Sequence, residues 1–207
     1  MNQCRFQRAR SPEQKALRRA QILDAAAGYF SRQRFETISL VDIARQAGVT
    51  KAALYRYYPS KEALFLALYL GELEDMVAVP LPEGQAGPMW ERLSELLLSR
   101  PLFCRLTAIL HSVLEQNLDA DQARRFKASL LQHFTILAQR LSDHFGLPVD
   151  KAGTYLLQVQ QALIGCWALS HPAPVVADVI KQPPLDLFQV DFRLALQAHL
   201  KALEDAL

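Results

Sequence analysis

The sequence predicts an all-α fold, an N-terminal three-helix unit built around a helix-turn-helix and followed by a larger helical body. Three observations predict it. Apolar residues recur at helical spacing through most of the 207 residues, with no strand-like alternation. Residues 39–61, SLVDIARQAGVTKAALYRYYPSK, read as two short helices around a glycine. Residues 80–88, PLPEGQAGP, hold three Pro and two Gly in nine positions and break the chain. The hydrophobic share of 51% and charged share of 21% suit a globular protein with a sizeable core.

The elements follow in order. Residues 1–10 form a basic arm, and Ser11-Pro12-Glu13-Gln14 starts the first helix with an N-cap Ser, Pro at N1 and Gln at N3. Ile22, Ala25, Ala26, Tyr29 and Phe30 are its apolar stripe. Ser39 caps the second helix, with Asp42 giving an acidic variant of the capping box. Leu40, Ile43, Ala44 and Ala47 lie on one face, and Gly48 supplies the left-handed stop. Thr50 caps a helix over 51–58, whose only inward residues are Ala53 and Leu54. Pro59 disfavours helix at Tyr58, and Ser60 starts a fourth helix carrying Leu64, Phe65, Leu68 and Leu73 and ending before Pro80.

Beyond Pro88 the spacing predicts helices over about 89–99, 101–116, 120–145, 151–169 and 185–207, with a short one near 175–180. Asp119 and Gln122 cap the long third of these, whose stripe is Phe126, Leu130, Phe134, Leu137, Leu141 and Phe145; Gly146 and Pro148 end it. The last helix carries three apolar stripes: Leu187, Leu194 and Ala198; Phe188, Phe192 and Ala195; Leu196, Leu200 and Leu203. A helix apolar nearly all round needs cover from two sides, which implies a second subunit.

Charge is split along the chain. Residues 1–61 carry 12 basic and 4 acidic side chains, a net of +8, whereas residues 62–207 carry a net of −6. A basic head on an acidic body, with Lys51, Tyr55, Arg56 and Tyr57 turned outward from the helix-turn-helix, points to DNA as partner. No apolar run reaches the roughly 18 residues of a membrane span, and MNQCRFQRAR lacks the apolar core of a secretory signal. Cys4, Cys104 and Cys166 have no CxxC spacing and read as reduced thiols of a cytoplasmic protein. The five His form no metal-ligand spacing, and no phosphate loop or nucleophile elbow occurs, so neither an enzyme nor a metal or other cofactor is expected.

The run RAQILDAAAGYFSRQRFETISLVDIARQAGVTKAALYRYYPSKEALF, roughly a quarter of the chain, resembles the N-terminal domain of TetR-type transcriptional regulators. The signature lies in A-x-x-A-G-V-T-K, the L-Y-x-Y-Y recognition helix and the following P-S-K-E-x-L. The resemblance implies a basic arm over 1–15, a DNA-binding domain over 16–76 with its helix-turn-helix at 39–58, and an effector-binding and dimerisation domain over 77–207.

It implies that Tyr55, Tyr57, Lys61, Thr37 and Ser39 hold phosphates of a double-stranded operator. Thr50, Lys51, Ala52 and Ala53 sit where a recognition helix enters the major groove. Arg56 replaces an aromatic residue common in the family, which leaves its target open between base and phosphate. Arg5, Arg8 and Arg10 could reach a minor groove.

A small-molecule effector would sit among the fifth to eighth helices. Cys104, Ala108 and His111 align there at i, i+4 and i+7, with Trp90, Phe103, Phe134 and Trp167 as aromatic wall. The resemblance further implies a homodimer through the last two long helices. The expected function is a repressor released from a pseudo-palindromic operator by its effector; an architectural DNA-binding protein without an effector is the alternative.

Overall fold

The computed structural model describes residues 11–79 and 87–207. The arm residues Arg5, Arg8 and Arg10, Cys4 and most of the Pro/Gly break lie outside the described residues. Ten α-helices are described: α1 (Pro12–Phe30), α2 (Leu40–Gln46), α3 (Lys51–Tyr57), α4 (Lys61–Ala78), α5 (Met89–Leu98), α6 (Pro101–Ile109), α7 (Ala120–Phe145), α8 (Val149–Ser170), α9 (Pro174–Val179) and α10 (Phe192–Asp205). No strand occurs among the described residues.

Local chemistry sets most of the boundaries. Ser11 and Gln14 form a reciprocal capping box at α1, which therefore takes residues 12–15 from the span assigned to the arm. At α2 the expected acidic box does not form. Ser39 Oγ accepts from Val41 N–H at 3.2 Å, and the Asp42 carboxylate pairs forward with Arg45. A flexible Arg one turn on competes better for that carboxylate than the backbone of the cap.

The α2 C-terminus is a Schellman motif. Gly48 adopts φ +63°, its N–H donates to Arg45 O, and Val49 N–H donates to Ala44 O at 2.9 Å. Val49 and Ala44 are both buried, which adds the apolar contact that usually closes this motif. Asp119 and Gln122 form the expected box at α7, and Gly146 at φ +70° ends that helix.

Helices α1, α2 and α3, with the first turns of α4, make the head. Ile22, Ala26 and Phe30 of α1 meet Ile43 of α2, Leu54 of α3 and Leu64 and Phe65 of α4, all at most 1% exposed. Phe65 makes T-shaped pairs with Phe30 and Phe35 at ring-centroid distances of 5.2 and 5.0 Å. Tyr58 is buried too, beyond the two inward residues expected of the recognition helix and its flank.

In the body α8 packs against α6, α7 and α10, and α10 lies along α5. Helix α4 belongs to both halves, packing on α1 in the head and on α6 and α7 in the body. The Glu204 carboxylate of α10 accepts from the N–H groups of Met89 (3.2 Å) and Trp90, capping α5 from across the fold. No single helix among the described residues is long and apolar enough to cross a membrane.

Two expected helices differ. The 101–116 helix changes to π-helical geometry over Leu110–Leu114, with Glu115 N–H donating to Leu110 O. A wider turn rotates everything after it, so the Cys104–Ala108–His111 line is broken. The last helix starts at Phe192, where Asp191 accepts from Leu194 N–H at 2.8 Å, and not at Leu185. Leu187 and Phe188 sit in a separate 3₁₀ turn, 84% and 62% exposed, so they never join the stripes assigned to them.

Candidate nucleic-acid interface and effector cavity

The outward face of α3 is formed by Lys51, Ala52, Tyr55 and Arg56, all exposed, while Ala53 and Tyr57 are half-buried against the head core. Thr50 Oγ1 accepts from Ala53 N–H at 3.1 Å, which leaves its own O–H free to donate. Lys51 Nζ lies 5.8 Å from the Tyr55 ring centroid, so the two share one surface. Thr37 is exposed, but its hydroxyl donates to Arg34 O at 2.9 Å. Ser39 is half-buried and occupied as the α2 cap. The helix therefore presents a basic and aromatic ridge, and an α-helix is an element that a major groove admits.

Lys61 is placed differently from the phosphate contact that the resemblance implied. Its ammonium donates to Phe35 O (2.7 Å), Ile38 O (3.2 Å) and Glu36 O (3.3 Å), and stands 4.3 Å from the Phe35 ring centroid. All three N–H donors are used. The first residue of α4 thereby clamps the turn that leads into α2. A phosphate would have to compete with those carbonyls.

A second cation joins head to body. Arg105 on α6 donates to Phe30 O and to Gln33 O (2.7 Å), with its guanidinium 4.4 Å from the Phe30 ring centroid. Burial and the neighbouring Arg34 push its pKa down, opposed by Glu36. Nothing in the periodicity of α6 marked Arg105. The acceptors are backbone carbonyls about 72 to 75 positions away, which carry no residue-type signal.

The body encloses a cavity of about 370 Å³ among α4, α5, α6, α7 and α8. Leu73, Met76, Leu93, Leu97, Phe103, Phe134, Leu137, Phe145, Leu156 and Leu163 make its walls. Polar residues interrupt them: Arg92, Arg140, Thr107 and Gln160, with Tyr69 beside Thr107 and with Glu95 and Ser99 at the exposed side. Burial holds the Tyr69 hydroxyl well above its ordinary pKa, so it is neutral. Arg140 donates to Val79 O at 3.1 Å, tying α7 to the end of α4.

Arg92 Nε and Gln160 Nε2 are both buried and have no hydrogen-bond partner among the described residues. Leaving such a donor unsatisfied costs about 1–3 kcal/mol, more for a charged group, so both donors have capacity to bind an acceptor.

Of the seven residues expected around an effector, Phe103 and Phe134 line this cavity. Cys104 does not, being fully buried with Sγ donating to Leu97 O; burial pushes its thiol up to about 12, so it is an inert hydrophobe. Burial also raises Cys166. Trp167 stacks on His171 at 3.9 Å and meets Phe192 edge-on, on the α10 side. Trp90 and Ala108 line neither cavity described.

His111 is half-exposed, hydrogen-bonded to Glu115 at 3.1 Å, and lines a more open groove of about 650 Å³ between α7 and α8. The residues missed were Arg92, Arg140, Gln160 and Tyr69. Their signal was weak but real: Arg92 and Gln160 each interrupt an otherwise apolar helical stripe.

Residues 22–68 match the family described as bacterial regulatory proteins, tetR family, and residues 71–204 match the tetracyclin repressor-like C-terminal domain. The chain belongs to the TetR family of transcriptional regulators. It is 32% identical over 84 residues to an HTH-type transcriptional repressor of Mycobacterium tuberculosis, covering 41% of this chain and 45% of that one. It is 43% identical over 74 residues to the HTH-type transcriptional regulator RutR of Escherichia coli, covering 36% and 32%. The chain thus spans less than half the length of these relatives. Among solved structures, a TetR transcriptional regulator from Rhodococcus sp. RHA1 has TM-score 0.58 at 18% identity, covering 92% and 96% of the two chains. The fatty acid degradation regulator FadR from Bacillus halodurans has TM-score 0.54 at 16% identity, covering 91% and 98%. Both likenesses concern the fold, which is the all-helical one expected.

Proposed function

We propose that this TetR-family regulator is a cytoplasmic, homodimeric repressor that leaves a pseudo-palindromic operator when a small molecule fills the α4–α8 cavity. The observation that carries the proposal is the exposed ridge of Lys51, Ala52, Tyr55 and Arg56 on α3, held at one end of a helix, α4, whose other end walls the cavity. In this reading Thr50, Lys51, Ala52 and Ala53 face base edges, Tyr55, Tyr57, Thr37 and Ser39 lie toward phosphates, and Lys61 stays on its three carbonyls as a positioning residue. Arg56 belongs to bases if Arg56→Ala changes sequence preference, and to phosphates if it weakens all sites alike.

Dimerisation is supported by the apolar residues that α8 and α10 leave exposed: Leu157 (53%), Leu169 (63%) and Leu194 (66%). Two heads on one two-fold axis would meet half-sites separated by helical turns. Effector binding acts by population shift, displacing the protein from DNA by no more than its preference for the unbound conformation.

Footprinting of the full chain on the DNA upstream of its own gene tests this. The expected protection is two-fold symmetric. Protection of a single asymmetric half-site would sink the dimeric reading, and release by no ligand of any class would leave an architectural protein.

A further inference from the structure

We propose that the α4–α8 cavity takes a compact apolar molecule bearing a carboxylate, which Arg92 and Arg140 receive at one end while the Gln160 amide donates to a second acceptor. This rests on the effector-cavity reading above and adds its chemistry.

Two residues of the lining, Arg92 and Gln160 (which also borders the α7–α8 groove), each hold a buried donor with no partner among the described residues, Arg92 Nε and Gln160 Nε2, and a donor calls for an acceptor. Arg140 lends one N–H to Val79 O, and a guanidinium has five, so it too has donors to spare. Neither Arg92 nor Arg140 is in an ion pair among the described residues. Glu95, the one acid on the lining among the described residues, is exposed and forms no ion pair with either.

Two guanidiniums without an ion-pair partner among the described residues, set against an apolar wall, favour a planar anion, which each can hold with paired N–H groups. A ligand ammonium would meet like charge, and a neutral acceptor would leave the guanidiniums uncompensated. The apolar remainder of the ligand has Phe103, Phe134 and Phe145 to pack on. A volume of about 370 Å³ lies at the small end of ligand sites, which suits a compact acid over a bulky conjugate.

The site also bears on the switch. Arg140 already holds the last carbonyl past α4, and Arg92 lies in the first turn of α5, on the other side of the α4–α5 connection. A carboxylate bound between them ties into the end of the helix that carries the head.

Calorimetric titration of the full chain tests the inference, with octanoate, decanoate and naphthoate each set against its neutral alcohol and its amine. The acid is expected to bind at least about tenfold tighter than the alcohol, and the amine weakest. Arg92→Leu is expected to bring the acid down to the alcohol while leaving the alcohol unchanged; Gln160→Leu should weaken both.

Equal binding of acid and alcohol to the native chain would overturn the carboxylate but leave the cavity as an effector site. An acid preference untouched by Arg92→Leu and by Arg140→Leu would overturn the assigned residues. If no acid or alcohol binds, and the neutral dye Nile red does not enter either, the effector-cavity reading fails with the inference.

Discussion

The head and the body use buried polar chemistry in opposite ways. In the head, the cation that reaches inward is saturated: Lys61 spends three donors on three carbonyls. Its core is a closed set of residues at or near zero exposure. In the body, Arg92 and Gln160 are left with unsatisfied donors around an open volume. Dense packing and satisfied donors favour one conformation, whereas hollow packing with unmet donors can be completed from outside. A reader of DNA needs the first, and a sensor needs the second.

The comparison breaks most readily at the head core. Phe65→Ala removes the ring that meets both Phe30 and Phe35, and it should lower stability by about 3–5 kcal/mol in denaturant titration, with DNA binding lost in parallel. A loss under about 1 kcal/mol would mean that the head is not the closed core described here.

Lys61→Met should cost about 1–3 kcal/mol, because three carbonyls lose their donor, while the slope of DNA affinity against salt stays unchanged. A slope reduced by about one unit would show instead that Lys61 leaves the carbonyls for a phosphate on binding. Arg105→Gln should cost about 1 kcal/mol and, more tellingly, blunt release from DNA by ligand, since it removes the α6 grip on Phe30 and Gln33. Unchanged ligand response in a shift assay would show that the coupling runs through α4 alone.

The smallest effect belongs to Glu72, whose carboxyl is held above its ordinary pKa by burial, opposed by Arg100 at 4.0 Å and assisted by Asp75. Its folded pKa exceeds its unfolded one, so the folded state binds the proton more tightly. Its contribution to stability therefore rises as pH falls through the raised folded pKa. Glu72→Gln should flatten that part of the pH–stability curve, and an unaltered curve would place the titration elsewhere.

Legibility differed between the two halves for a physical reason. Caps and stops act within four residues, so Ser11, Gly48, Thr50, Asp119 and Gly146 could be read from the sequence and stand where expected. The exposed α3 ridge followed from the same local logic, since a short capped helix with two inward apolar residues must show the rest. The π-turn at Leu110 and the late start at Phe192 were harder, because tertiary packing there competes with helices that periodicity alone would continue.

What the sequence by itself determined was the all-helical class, the helix-turn-helix and its basic face, because these depend on neighbours a turn away. What only the tertiary structure decided was which side chains converge. Lys61 turned inward, Arg105 reached the head, and Arg92 and Gln160 came to line one cavity, each with a buried donor unpartnered among the described residues. Those pairings span tens of residues and end on backbone carbonyls or empty volume, to which no residue pattern in the chain corresponds.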